Sequence, residues 1–180
     1  MLLCELTENN ETWYHGSTAE IKRFNLDNVG KADATDQEGP GIYLTNSIDD
    51  ALHYGNIVHT VKTIRSPRLV PEKKSFSILT IKELINLSPN KEDILQDWDQ
   101  KPEIAIAKAS RAIYDRWGPN KFREMLEQVS YDFYRETPKE WLNILTTNLK
   151  YDGFILPRSG VKHFICFNPE ILEITKVENY

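Results

Sequence analysis

Apolar and polar positions follow two different rhythms along the chain. Between residues 12 and 71, short apolar runs are broken by polar turns, a pattern that predicts strands and loops around one short helix. "GIYLTNS" is expected as a buried strand, and "IDDALHYG" as a helix closed by Gly55. From about Thr80 to Lys150 the apolar residues return every three or four positions, in "IKELINL", "EIAIAKASRAIYDRW", "KFREMLEQVSYDFY" and "PKEWLNILTTNL", which is the period of several helices. Pro89, Pro102, Pro119 and Pro138 stand at their boundaries, where a missing backbone donor is tolerated. From Tyr151 onward the pattern returns to strands, "DGFILPR", "KHFICFN" and "ILEITKV", separated by "SG" and "NPE" turn signals. These last strands are too few to stand alone and are expected to pair with the early ones. That makes the fold α+β, one sheet system with the helices of about residues 79–150 as an insertion.

Length and composition narrow the picture. With 180 residues and 20.9 kDa the chain suits a single domain with a real core, one catalytic or binding unit over residues 1–180. A net charge of −5 and a pI near 5.4 give no general attraction to nucleic acid. The stretch "VKTIRSPRLVPEKK", residues 61–74, is a local basic strip and reads first as a solvated edge strand and loop. Cys4 and Cys166 are too few and too far apart for a disulfide framework, and neither has metal-ligand company at CxxC spacing, so a reducing cytoplasm and no metal are expected. The opening "MLLCELTENNETW" lacks a signal-peptide pattern, and no run approaches the ~20 apolar residues of a membrane span. A soluble, cytoplasmic protein without a membrane partner is the expectation.

Candidate chemistry begins with "TWYHGS", where His15 stands beside a residue with no side chain. Such a pair suits a place where a polar ligand meets bare backbone while an imidazole holds it from one side. "GPGIYLTNSIDDALHYG", "YDGFIL" and "KHFICFNPEIL" line up with it. Together the four segments resemble the ADP-ribosyltransferase superfamily, in its diphtheria-toxin and poly(ADP-ribose) polymerase branch, over roughly residues 12–60 and 150–175. In that branch a first strand carries His-Gly, a second carries Gly-Ile-Tyr, and a helix soon after carries another Tyr. Here Tyr43 and Tyr54 stand eleven residues apart, as the branch would have them.

The resemblance implies a split β-sheet core and NAD as co-substrate. Tyr43 and Tyr54 would sandwich the cationic nicotinamide, a favourable arrangement by both area and cation–π attraction. The backbone of Gly16 would meet the carboxamide, His15 would bond a ribose hydroxyl at the adenosine end, and Ser17 would help on the nicotinamide side. "DNVGKADATDQEGPG", residues 27–41, fits the donor loop, with Lys31 as its one cation, and Asp36 or Glu38 in it is the alternative to His163 for stabilising the developing cation. Most of the branch places a Glu on a late strand, and here that position falls on His163. Ala51 stands where relatives often have a Ser that bonds the nicotinamide amide.

The catalytic set implied is His15, Tyr43 and His163. The activity implied is mono-ADP-ribosyl transfer rather than chain extension, since an imidazole lacks the full negative charge of a carboxylate. The acceptor is a protein side chain or a nucleic-acid base, and the context suggested is a small bacterial or phage toxin or antiviral defence effector, with an antitoxin as a further partner. Two other functions compete: a catalytically silent NAD or ADP-ribose binding module, and an RNA 2′-phosphotransferase, whose basic residues are not located here. Taken singly, His15 reads as an ordinary half-buried histidine, and Tyr43 or Tyr54 as core aromatics. His163 is open to two readings, a catalytic-position residue or a strand residue facing water. Trp98, Tyr114, Trp117, Tyr131, Tyr134 and Trp141 recur at helical spacing and are expected to pack the core, and "NKEDILQDWDQ" to be a solvated helix face.

Overall fold

A computed structural model describes residues 11–29, 39–99 and 101–180. Lys31, Asp36, Glu38 and Cys4 lie outside them. The chain is a mixed α+β protein and divides into two compact units: one of the residues up to Asp27, Ile42–Leu69 and Lys150–Tyr180, the other of Asn28–Gly41 and Val70–Leu149.

The first unit carries, among the described residues, a six-stranded antiparallel sheet. Its strands are β1 (Trp13–Ser17), β2 (Ile42–Thr45), β3 (Ile57–Thr63), β4 (Gly153–Arg158), β5 (Val161–Cys166) and β6 (Leu172–Asn179), in the order β4-β5-β2-β1-β3-β6. As expected, the late strands pair with the early ones, β5 on β2 and β6 on β3. Strand alternation sorts the side chains. Trp13 lies opposite Val61, Ile42 opposite Cys166 and Leu44 opposite Phe164, and these residues share one apolar core with Phe24 and Ile171. The Cys166 thiol sits in that core, where burial pushes it up to about 12. It is a packing residue rather than a reactive one. The other face is covered by α1 (Ile48–Ala51), which Ser47 caps by accepting from the Asp50 N–H at 3.3 Å and which runs into a 3₁₀ turn, Leu52–Tyr54, ended by Gly55.

The basic strip of residues 61–74 departs from expectation. Its first residues belong to β3, which lies between β1 and β6 and is not an edge strand. Sequence alone could not see this, because both neighbours come from distant segments.

The second unit holds α2 (Ile78–Asn86), α3 (Lys91–Leu95), α4 (Pro102–Trp117), α5 (Phe122–Phe133) and α6 (Pro138–Asn143), the last continued by a π turn, Ile144–Asn148. Pro102 and Pro138 open α4 and α6 at the first turn, where no donor is needed. Tyr134 and Trp141 are buried with ring centroids 4.8 Å apart, and the Tyr134 hydroxyl donates to the Leu84 carbonyl. Trp98 and Tyr131 differ from expectation: they are 39 and 63 % exposed and do not pack the core. In α3 only Leu95 is buried, in keeping with a solvated face.

Candidate functional site

The sheet is uneven. Trp13 to Ser17 of β1 are in register with β3 throughout, yet β1 and β2 share a single pair, Tyr14 opposite Thr45. Backbone direction explains what is left beyond it. The Asn46 N–H donates to Lys162, so alternate residues of β2, Tyr43 and Thr45, turn their polar backbone groups toward β1. Thr45 opposite Tyr14 then turns the N–H and C=O of Tyr14, and two residues on those of Gly16, toward β2. For Gly16 no β2 partner stands in register. The Tyr43 carbonyl, which would have continued the ladder, instead accepts a hydrogen bond from His15 Nδ1 at 2.9 Å. An imidazole side chain thus substitutes for one rung and parts the strands.

That bond fixes the ring's tautomer. A carbonyl can only accept, so Nδ1 carries the proton and the Nε2 lone pair is the ring's acceptor. Burial lowers the His15 pKa, the Tyr43 carbonyl partly offsets this, and nearby His59 lowers it further. The neutral form is therefore favoured. His59 lies opposite His15 in the register, accepts from the Ile21 N–H at 2.8 Å through Nε2, and donates through Nδ1 to the His15 carbonyl at 3.2 Å. With Phe24 edge-on to the His15 ring at 5.2 Å, this locks the histidine in place. His15 points to the face of Trp13, whereas Tyr43, Thr45 and His163 point to the face that carries α1. The three predicted catalytic residues are thus not gathered on one face; His15 reaches Tyr43 through the parting.

Two glycines hold α1 and its 3₁₀ turn against the end of β1. A Cβ on Gly16 would lie 1.8 Å from the Ala51 carbonyl oxygen, and one on Gly55, whose φ is 158°, would lie 2.1 Å from the Ser17 carbonyl. The absent side chain of Gly16 is therefore first a requirement of helix packing, a correction to the reading that it clears a path for ligand; what faces the parting is its backbone edge. Gly16→Val is therefore expected to destabilise the fold itself. Ser17 donates its hydroxyl to the Ala19 carbonyl, which leaves its oxygen as an acceptor. Tyr54, at the tip of this clip, is 47 % exposed, so its ring is open to a ligand.

His163 is 7 % exposed and does not face water, which removes one of its two readings. It lies opposite Thr45, and its Nε2 is 2.9 Å from Asp50 Oδ2 in α1. The approach is close but not aligned: Asp50 Oδ2 is shut off from water and receives no well-directed hydrogen bond.

Asp152, in the "YDGF" segment, is a contrasting carboxylate. It is fully buried and accepts from Arg65 Nη1 and Nη2 at 2.7 Å each, from the Arg68 N–H, Nε and Nη2 at 2.8, 3.0 and 3.1 Å, and from Asn168 Nδ2 at 3.0 Å. Burial alone would raise its pKa, but the two guanidiniums hold it well below the usual carboxylate range. The knot joins the end of the β3 segment to the start of β4, and it engages two cations of the basic strip. Among the described residues no cluster of three or more His, Cys, Asp or Glu could hold a metal, and no helix is long and apolar enough to cross a membrane.

Sequence reasoning did not single out His59, Asp50 or Asp152. Only Asp50 carried a signal, its place in the helix between the two tyrosines. Compared with known protein families, with curated proteins and with solved structures, the chain matches none.

Proposed function

We propose that the β1–β2 parting is a binding site for a nicotinamide nucleotide, and that the class of reaction is glycosyl transfer. The particular activity is mono-ADP-ribosylation of a macromolecule. The observation that carries this reading is the place where the β1–β2 ladder stops, with the N–H and C=O of buried Gly16 directed toward β2 and no β2 residue in register with it. A primary carboxamide offers the matching acceptor and donor. The Nε2 lone pair of His15 suits a ribose hydroxyl, and Tyr43 and the half-exposed Tyr54 suit the two faces of a cationic pyridinium ring. The division of the sheet into β4-β5-β2 and β1-β3-β6 supports the split-sheet core of the ADP-ribosyltransferases.

In the reaction, the bond between the ribose carbon and the nicotinamide nitrogen breaks with its electron pair leaving on neutral nicotinamide. The ribose carbon gains oxocarbenium character, the acceptor's lone pair closes on it, and the acceptor's proton passes to solvent. The protein orients both partners and stabilises the charge. A protein acceptor is the better fit, because Arg65 and Arg68 of the basic strip are engaged by Asp152.

The test is incubation with NAD labelled in its ADP-ribose part and a cell lysate, followed by separate protease and nuclease digestion. Label released by protease, with nicotinamide set free in equal amount, is expected. Label released by nuclease would move the acceptor to nucleic acid. The burial of His163 beside Asp50 favours one second reading, a binding module that takes up NAD without transfer. Tight NAD binding with no nicotinamide release would establish it.

A further inference from the structure

The segment Ser47–Gly55 bears a half-buried carboxylate, Asp50, set against β5. Asp50 is held at both ends of its peptide unit, its N–H by Ser47 Oγ at 3.3 Å and its carbonyl by His53 Nδ1 at 3.3 Å, so the side chain leaves a fixed stem. The stem itself cannot shift, because the Ala51 carbonyl rests on Gly16 and Gly55 rests on Ser17. From it Asp50 Oδ2 reaches to 2.9 Å from His163 Nε2, out of contact with water and without an aligned donor. The side chain as a whole is 26 % exposed, so part of the carboxylate stays open to a ligand while His163 borders its inner oxygen.

We propose that Asp50 is the catalytic carboxylate of this site. It accepts a hydrogen bond from a hydroxyl of the nicotinamide ribose and sets its negative charge beside the carbon that becomes cationic. His163 is the positioning residue: it borders the carboxylate from β5 and keeps it in the pocket. The inference rests on the NAD reading above and deepens it. It also answers the charge deficit that His163 raises, since the carboxylate comes from α1 instead of β5. Position supports the assignment. Asp50 projects from the same clip as Tyr54, against the sheet face that bears Tyr43 and His163, so one rigid element presents both a stacking ring and a charge.

The experiment measures nicotinamide release at saturating NAD, and NAD affinity separately by titration, for the wild type, Asp50→Asn, Asp50→Glu and the double variant Asp50→Asn/His163→Glu. Asn keeps the shape and removes the charge; it is expected to lower turnover about a hundredfold or more while NAD affinity changes only severalfold. Glu is expected to retain more turnover than Asn. The double variant should regain much of the loss, because a carboxylate returns to the same place from the neighbouring strand. A structural role would not produce that rescue. If the wild type releases nicotinamide and Asp50→Asn matches it, the inference fails and the NAD reading stands. If the wild type binds NAD and releases none, the transferase reading fails and takes the inference with it.

Discussion

The first unit contains two places where distant segments meet around an aspartate, Asp152 fully buried and Asp50 half-buried, and they are built on opposite terms. At Asp152 every carboxylate oxygen is met: two guanidiniums, a backbone N–H and an amide converge on it, and the strands nearby are in full register. At the β1–β2 parting the ladder stops after one pair, Gly16 turns a backbone edge into the gap, and Asp50 Oδ2 receives no aligned donor. A satisfied polar knot fixes one arrangement of the chain. An incomplete one is where we propose that a ligand binds. Electrostatics follows the same division, since Asp152 is held ionised by its partners and His15 is held neutral by burial.

Substitutions break this comparison from either side. The largest effect is expected at Gly16, where Gly16→Val drives a side chain into the Ala51 carbonyl; the loss should reach or exceed the ~3 kcal/mol upper end of ordinary overpacking, and thermal unfolding reads it. Asp152→Ala comes next. It should remove about 3 kcal/mol of stability, the low end for breaking a buried ion pair, because both arginines still reach water. This knot also sets an acid limit. The folded-state pKa of Asp152 is depressed, so its contribution is complete above the ordinary carboxylate value of about 3.9 and is lost as pH falls toward the folded value. Urea midpoints measured from pH 4 down to pH 2 should fall more steeply in the wild type than in Asp152→Asn.

The open side responds in affinity and rate instead. Tyr54→Ala should weaken NAD binding by about 1–2 kcal/mol through loss of a stacking face, and Tyr43→Phe by less, since the ring remains. NAD titration separates them, and equal affinities would remove the sandwich. The smallest expected change is the stability of Asp50→Asn, within about 0.5 kcal/mol of the wild type, because the side chain is partly exposed and Asn keeps its shape. A loss as large as that of Asp152→Ala would make the two aspartates alike and end the comparison.

Much of this frame is legible in the chain's periodicity. Residues 80–150 announce helices through their apolar spacing, and "GIYLTNS", "DGFILPR" and "KHFICFN" announce strands through their alternation. Local pattern carries such elements because each depends on near neighbours. The site is another matter. Gly16 meets Ala51, Asp50 meets His163 and Asp152 meets Arg65 and Arg68 across turns and strand pairings that no local pattern encodes. His-Gly and the two tyrosines could be noticed as residue types, whereas the parting between β1 and β2 depends on a histidine ring taking a carbonyl that would otherwise continue the ladder. The placement of β3 inside the sheet was hidden for the same reason.

If the edge of Gly16 receives a carboxamide, as we propose, the amide resonances of the folded protein will report it. Titration with nicotinamide, and then with NAD, should shift the Gly16 N–H resonance strongly and saturably, with His15 and Tyr54 moving alongside it and the helical unit unchanged. A Gly16 resonance that stays in place while NAD binds, with shifts gathered elsewhere in the chain, would contradict the account.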